Sequence, residues 1–173
     1  YPLALCEAGI VSTLLGDLAQ GNSYLRLSLE HYDQFCSSHD RAVVFDALGT
    51  NLMYSGNLTG AEIQFERALK LWESLDNPGP VAVTLNNLGV IHSSRGDYAR
   101  ALESYERALH EARRSGILRM EAFALASIGD AHCDRCDLGS ALAAYAESQR
   151  VAEQAGETQL NAYLLNAIGE AHR

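Results

Sequence analysis

The chain has 173 residues, of which 47% are hydrophobic and 20% charged, with three prolines and a formal net charge of −9. That is a globular composition of roughly single-domain length, and its acidic balance excludes sequence-independent nucleic-acid binding, which rests on neutralising phosphates. No apolar run reaches the roughly 18 residues a membrane helix needs, and four cysteines are too few for a disulfide scaffold, so a reducing cytoplasm is the expected setting. The start, Tyr1-Pro2-Leu3-Ala4-Leu5, has no basic n-region and no initiator Met, and it opens inside an apolar pattern. It reads as a piece of a larger protein and as no signal peptide.

One period runs through the chain. Glycines recur every 40 residues, at Gly9, Gly49, Gly89, Gly129 and Gly169. Seven residues on come Gly16, Gly56, Gly96 and Cys136, and two further on Leu18, Leu58, Tyr98 and Leu138. Small residues follow at Gly21, Ala61, Ala101 and Ala141, large ones at Leu25, Phe65, Tyr105 and Tyr145, and small ones again at Ser28, Ala68, Ala108 and Ser148. A register held without slippage over four copies marks a repeat array.

In chain order the copies span about 1–37, 38–77, 78–117 and 118–157, with a half copy at 158–173. Each full copy reads as two helices. In the third, Leu85, Leu88 and Ile91 share a stripe, and Tyr98, Ala101, Leu102, Tyr105, Ala108, Leu109 and Ala112 follow the spacing of an amphipathic helix. Gly96 can take the left-handed conformation that ends the first helix, and Asp97 can cap the second. Turns are therefore expected near Gly16, Gly56, Gly96 and Cys136. Links between hairpins are expected at Ser37–Asp40, Asp76–Pro80, Ser115–Ile117 and Gly156–Thr158. A ninth helix starts near Thr158. The expected fold is all-α: one α-solenoid domain of antiparallel helix hairpins, about four and a half repeats and nine helices, in which stacked neighbours bury what one hairpin cannot.

Leu88-Gly89, Gly96-Asp97-Tyr98, Ala101, Tyr105 and Ala108 resemble the tetratricopeptide repeat, as do Leu48-Gly49, Gly56-Asn57-Leu58, Ala61, Phe65 and Ala68. The copies near Leu3 and Met120 are weaker but in register. The 40-residue period departs from the usual 34 and is similar to that of kinesin light chains, of Leu-Gly-Asn-repeat proteins and of the sensor regions of bacterial maltose-activator-type transcriptional regulators. Twelve arginines against the single lysine Lys70, with abundant Ala and Gly, lean toward the bacterial group.

Local chemistry is sparse. His132-Cys133-Asp134-Arg135-Cys136 holds a C-x-x-C, but zinc takes four ligands and no second pair stands at a matching spacing. Cys136 reads instead as the occupant of the turn-glycine position. His92, His132 and His172 fall 40 apart. On stacked hairpins they would lie about 10 Å apart, too far to share an ion bound at about 2 Å, so they read as packing residues. Glu66, Lys70, Glu103, Glu106, Arg107 and His110 form i,i+4 pairs on a solvated face. No nucleophile–base pair, phosphate loop or HExxH is present. No catalysis, cofactor or metal is expected.

The resemblance implies that first helices line a concave groove, with inward positions six and three residues before the ruler glycine and one and four after it. These offsets select Val43, Asp46, Thr50 and Met53; Val83, Asn86, Val90 and Ser93; Phe123 and Asp130; and Asn166 and Glu170, with Tyr163, Cys133 and Arg173 at equivalent registers. The set forms an apolar rail beside carboxylates and amides. It suits a protein or peptide with apolar anchors and some basic residues, the amides pairing to its backbone. A peptide-binding scaffold within a larger bacterial signalling or transcriptional regulator is the expected role. A small-molecule sensing module of an activator, or self-association through the apolar terminal helices, are the alternatives.

Overall fold

The structure, a computed structural model, describes residues 2–32 and 37–171, and side chains of residues 2–31 and 37–169 within them. The described residues form nine helices: α1 (Pro2–Leu14), α2 (Leu18–Tyr32), α3 (Ser38–Tyr54), α4 (Leu58–Ser74), α5 (Pro78–Ser94), α6 (Tyr98–Ser115), α7 (Leu118–Asp134), α8 (Leu138–Ala155) and α9 (Thr158–Ala171). No strand occurs among them. The fold is the all-α, hairpin-built α-solenoid class expected. Two compact units divide it, Tyr1–Asn77 and Pro78–Arg173.

The turn inside each hairpin is one device used four times. At the third, Gly96 N–H donates to Ser93 O (2.8 Å) and Asp97 N–H to His92 O (3.0 Å), the paired bonds that close a helix through a left-handed residue. Asp97 Oδ1 then accepts from Arg100 N–H at 3.2 Å and starts α6. Asp17, Asn57 and Asp137 cap their helices in the same way. Cys136 keeps this geometry with φ +60°, where the other copies have glycine.

Two links differ from expectation. Pro78, Gly79 and Pro80 lie inside the first turn of α5, where a missing N–H costs nothing. The left-handed residue after α4 is Asp76, with φ +47°. At the first link, α3 already starts at Ser38, so Asp40 is helical, and Ser37 is its cap, accepting from Asp40 N–H at 3.2 Å. The Ser115–Ile117 and Gly156–Thr158 links stand where predicted, each with a left-handed glycine.

The ruler glycine admits the large residue 16 positions later. A Cβ on Gly49 would stand 2.7 Å from Phe65 Cε1, and one on Gly9 2.6 Å from Leu25 Cγ. The rings of Tyr105 and Tyr145 press on Gly89 and Gly129 in the same manner. Each ring or Leu is thus seated against helix backbone, and full burial of such a side chain contributes about 1.5–3 kcal/mol. The second small position serves the same approach. Ser28 and Ser148, both fully buried, donate to the carbonyls of Pro2 (2.8 Å) and Ala122 (2.7 Å), each 26 residues upstream.

Within the first unit, Asn51 is buried and fully engaged. Its Nδ2 donates to Thr13 Oγ1 and to Leu18 O, both at 2.9 Å, and its Oδ1 accepts from Asn22 Nδ2 at 3.2 Å. That network fixes α3 against the first hairpin. Within the second unit, Arg113 on α6 donates to Glu121 on α7 (2.9 Å) and Glu147 on α8 (2.8 Å). Its hydrogen bond to Glu121 leads in holding the guanidinium more firmly protonated than usual.

Candidate functional site

The first helices of the second unit, α5, α7 and α9, carry two recesses. The first, about 330 Å³, lies between α5 and α7 and is lined by Ala82, Val83, Asn86, Asn87, Arg119, Met120, Phe123 and Ala124. Val83 and Phe123 are 43% and 41% exposed, large apolar side chains left open in a recess rather than on an isolated surface spot. Arg119 stands with its guanidinium carbon 5.7 Å from the Phe123 ring centroid and is ion-paired to Glu157 at 3.2 Å. Among the lining residues, Asn86 holds its Oδ1 buried and without a hydrogen-bond partner. A buried amide oxygen without a donor costs about 1–3 kcal/mol, so this atom is poised to accept from an incoming N–H.

The second recess, about 390 Å³, is lined by Asp130, Cys133, Asp134, Tyr145, Tyr163, Asn166 and Ala167. Asp130 Oδ1 accepts from Tyr145 Oη at 2.8 Å and from Tyr163 Oη at 2.5 Å. Burial first, then the hydrogen bond and the negative charge of Asp130, push both phenols well above the ordinary tyrosine value. They stay protonated and act as fixed donors. Ser93 Oγ on α5 reaches Asp134 Oδ2 at 3.2 Å on α7.

Of the residues expected from the sequence, Val83, Asn86 and Phe123 meet in the first recess and Asp130 and Asn166 in the second. Val90 is 36% exposed on α5, and Ser93 is half-buried. In the first unit, Val43, Thr50 and Met53 are half-buried on α3, and Asp46 is engaged by Trp72, whose Nε1 donates to Asp46 Oδ2 at 2.5 Å. The Glu170 side chain, His172, Arg173 and Cys36 lie outside the described residues. Arg119, Met120 and Asp134 were not anticipated, because no ruler offset selects them. Tyr145 was anticipated only as a packing ring. The signal was its hydroxyl, which a buried tyrosine must satisfy and a phenylalanine would lack.

The remaining motifs have simple placements. Cys133 is half-buried on α7 and Cys136 exposed in the turn, both free thiols. His92 and His132 are half-buried on α5 and α7, with His132 Nδ1 3.4 Å from Asp137 Oδ2. Cys6 is buried, and burial, with the nearby charges of Glu7 and Asp40, pushes its thiol up to about 11. Glu66, Lys70, Glu103, Glu106, Arg107 and His110 are all exposed on second helices.

The tetratricopeptide repeat family matches residues 40–110. Among curated proteins, the photosystem I assembly protein Ycf3 of Parasynechococcus marenigrum is 37% identical over 70 residues, which is 40% of this chain and 39% of that protein. Among solved structures, aspartyl phosphate phosphatase F from Bacillus subtilis has a TM-score of 0.91 at 17% identity, over 96% of this chain and 44% of that one. A Rap protein complexed with competence and sporulation factor has a TM-score of 0.85 at 17% identity, over 96% and 50%. This chain therefore spans half or less of these relatives. At such identities the likeness to solved structures is one of fold. The family match thus places tetratricopeptide repeats at residues 40–110, and the ruler, the capped turns and the seating of each large residue on its glycine carry the same 40-residue register through the copies on either side.

Proposed function

We propose that the chain is a non-catalytic module that binds a protein or peptide segment on the first-helix face of its second unit. The unpartnered, buried Asn86 Oδ1 beside the open side chains of Val83 and Phe123 carries this reading. It offers a backbone N–H acceptor next to a site for an apolar anchor. Asp130 and Asp134 in the second recess suit a basic residue further along the same segment. A Rap protein of the same fold in complex with a factor supports a binding role. The parent is read as a larger bacterial signalling or transcriptional regulatory protein working in the cytoplasm. The arginine-rich composition supports the bacterial reading. Among the described residues, no helix is long and apolar enough to cross a membrane.

Selection of a displayed random-peptide library on the chain, followed by titration of the enriched peptides, tests the proposal. Enriched sequences should carry apolar anchors and Lys or Arg. Asn86→Ala and Asp130→Lys should each weaken binding, while Glu106→Lys, on the exposed face of α6, should not. Wild-type affinity in both groove variants would remove the assignment.

A further inference from the structure

We infer that the bound segment proposed above, a reading on which this inference rests, is extended and carries an apolar residue and an arginine four positions apart, the apolar residue in the first recess and the arginine in the second. The buried Asn86 Oδ1 calls for an N–H. An interior residue of a helix has already given its N–H to the carbonyl four residues back, so only the first turn has any to spare. An extended segment keeps its backbone N–H groups free. Asn86 shares its recess with the open side chains of Val83 and Phe123, which take the apolar residue. Arg119 lines the same recess, with its guanidinium over the Phe123 ring. Its charge turns a second cation away, so the two ligand residues do not exchange places.

The second recess favours arginine over lysine. Asp130 and Asp134 are four residues apart on α7 and so share a face on successive turns. Asp130 receives both phenols on Oδ1, and Asp134 receives Ser93 on Oδ2. One oxygen of each carboxylate stays outside those bonds. A guanidinium donates from several N–H groups in a fixed plane and can address both carboxylates at once. Its flat face can also lie on the Tyr163 ring, which is 45% exposed. An ammonium is a point charge without that fork. The spacing follows from α7, which contributes to both recesses. Phe123 and Asp130 are seven residues apart on one face, about 10 Å along the axis. The recesses lie on the α5 and α9 sides of α7, one helix spacing apart, about 8–10 Å. The diagonal is about 13–14 Å, or about four residues of extended chain. Side chains four apart point to the same face of such a chain, whereas those three or five apart do not.

The test selects on the whole chain from displayed libraries of short peptides, random except for one fixed Leu and one fixed Arg set two to seven residues apart in both orders, with matched libraries carrying Lys. Arg libraries with the four-residue spacing should enrich most. In titrations of a fluorescein-labelled enriched peptide, Arg→Lys in the peptide and Asp134→Asn in the chain should each weaken binding about tenfold. The two changes together should cost less than the sum of the two taken separately, because they remove one contact. Asn86→Ala should weaken Arg and Lys peptides alike. Enrichment at the seven-residue spacing would mark a helical ligand. That result, or equal enrichment of the Lys libraries, would overturn this inference, and the groove reading would stand if Asn86→Ala still weakened binding. No enrichment from any library would overturn both.

Discussion

Trp72 Nε1 lies 2.5 Å from Asp46 Oδ2, tying the last turn of α4 to the middle of α3. The two residues are 26 apart, the same separation that joins Ser148 to the Ala122 carbonyl. One copy later the equivalent positions hold Ala112 and Asn86. The indole is gone, and the Asn86 amide oxygen has no donor. The same register is thus a closed structural contact in the first unit and an unpartnered acceptor in the second.

Asp46→Ala should therefore destabilise the first unit. The indole N–H of Trp72 would stay buried without an acceptor, at a cost of about 1–3 kcal/mol. Urea unfolding followed by Trp72 fluorescence reads it directly, since Trp72 is the only tryptophan. A midpoint equal to wild type would show that the bond contributes nothing net.

Gly89→Ala and Gly129→Ala should each lower stability by about 1–3 kcal/mol, because the Tyr105 and Tyr145 rings must leave their rotamers or the helices must part. Among the described residues, Gly169→Ala meets no such ring. It should be neutral or gain about 0.5–1 kcal/mol from lost unfolded-chain freedom. Calorimetry on the three variants separates the cases.

Cys136→Gly should raise the melting temperature, with a gain on the order of 1 kcal/mol, because a side chain at φ +60° crowds its own carbonyl. A fall in melting temperature would show that the thiol has a partner worth more than that strain.

Alkaline conditions should unfold the second unit. Tyr105, Tyr145 and Tyr163 titrate above the usual tyrosine value, chiefly through burial. Below about pH 10, where phenols in both folded and unfolded chains hold their protons, their contribution is fully present. Above it the unfolded chain releases protons first, so stability falls as pH rises. Of the eight tyrosines, these three should ionise only as circular dichroism is lost, above pH 10. Ionisation of all eight near pH 10 with the helices intact would contradict the burial argument.

The hairpin turns were readable because they are local: Gly96 followed by Asp97 contains both the left-handed residue and the cap. Cys136 could be read the same way, from its place on the ruler. Pro78 and Pro80 misled because a proline ends a helix in its interior yet suits its first turn, and only the neighbouring Asp76 decides which applies. The first-helix offsets found Asn86 and Asp130 but not their surroundings. Whether a groove carboxylate is open or already bonded depends on residues on other helices, Trp72 for Asp46 and Tyr145 with Tyr163 for Asp130, and no periodicity within one helix reveals it. Likewise Asn51 stands where later copies have Ile91 and Ala131, and its bonds to Thr13 and Leu18 come from a helix pair that only tertiary packing brings near.

The turn device also makes the second unit's hairpins interchangeable parts. Removing residues 97–136 would splice Gly96 to Asp137, joining a left-handed glycine to a ready-made cap. The new hairpin would pair α5 with α8 and put Tyr145 in the place Tyr105 leaves at Gly89, the same ring on the same kind of notch. An excision one residue longer or shorter would break the splice and rotate α8 by about 100°, turning Tyr145 away from the notch. Length change in this molecule is thus quantised: whole copies can be gained or lost, and single residues between the turn and the ring cannot.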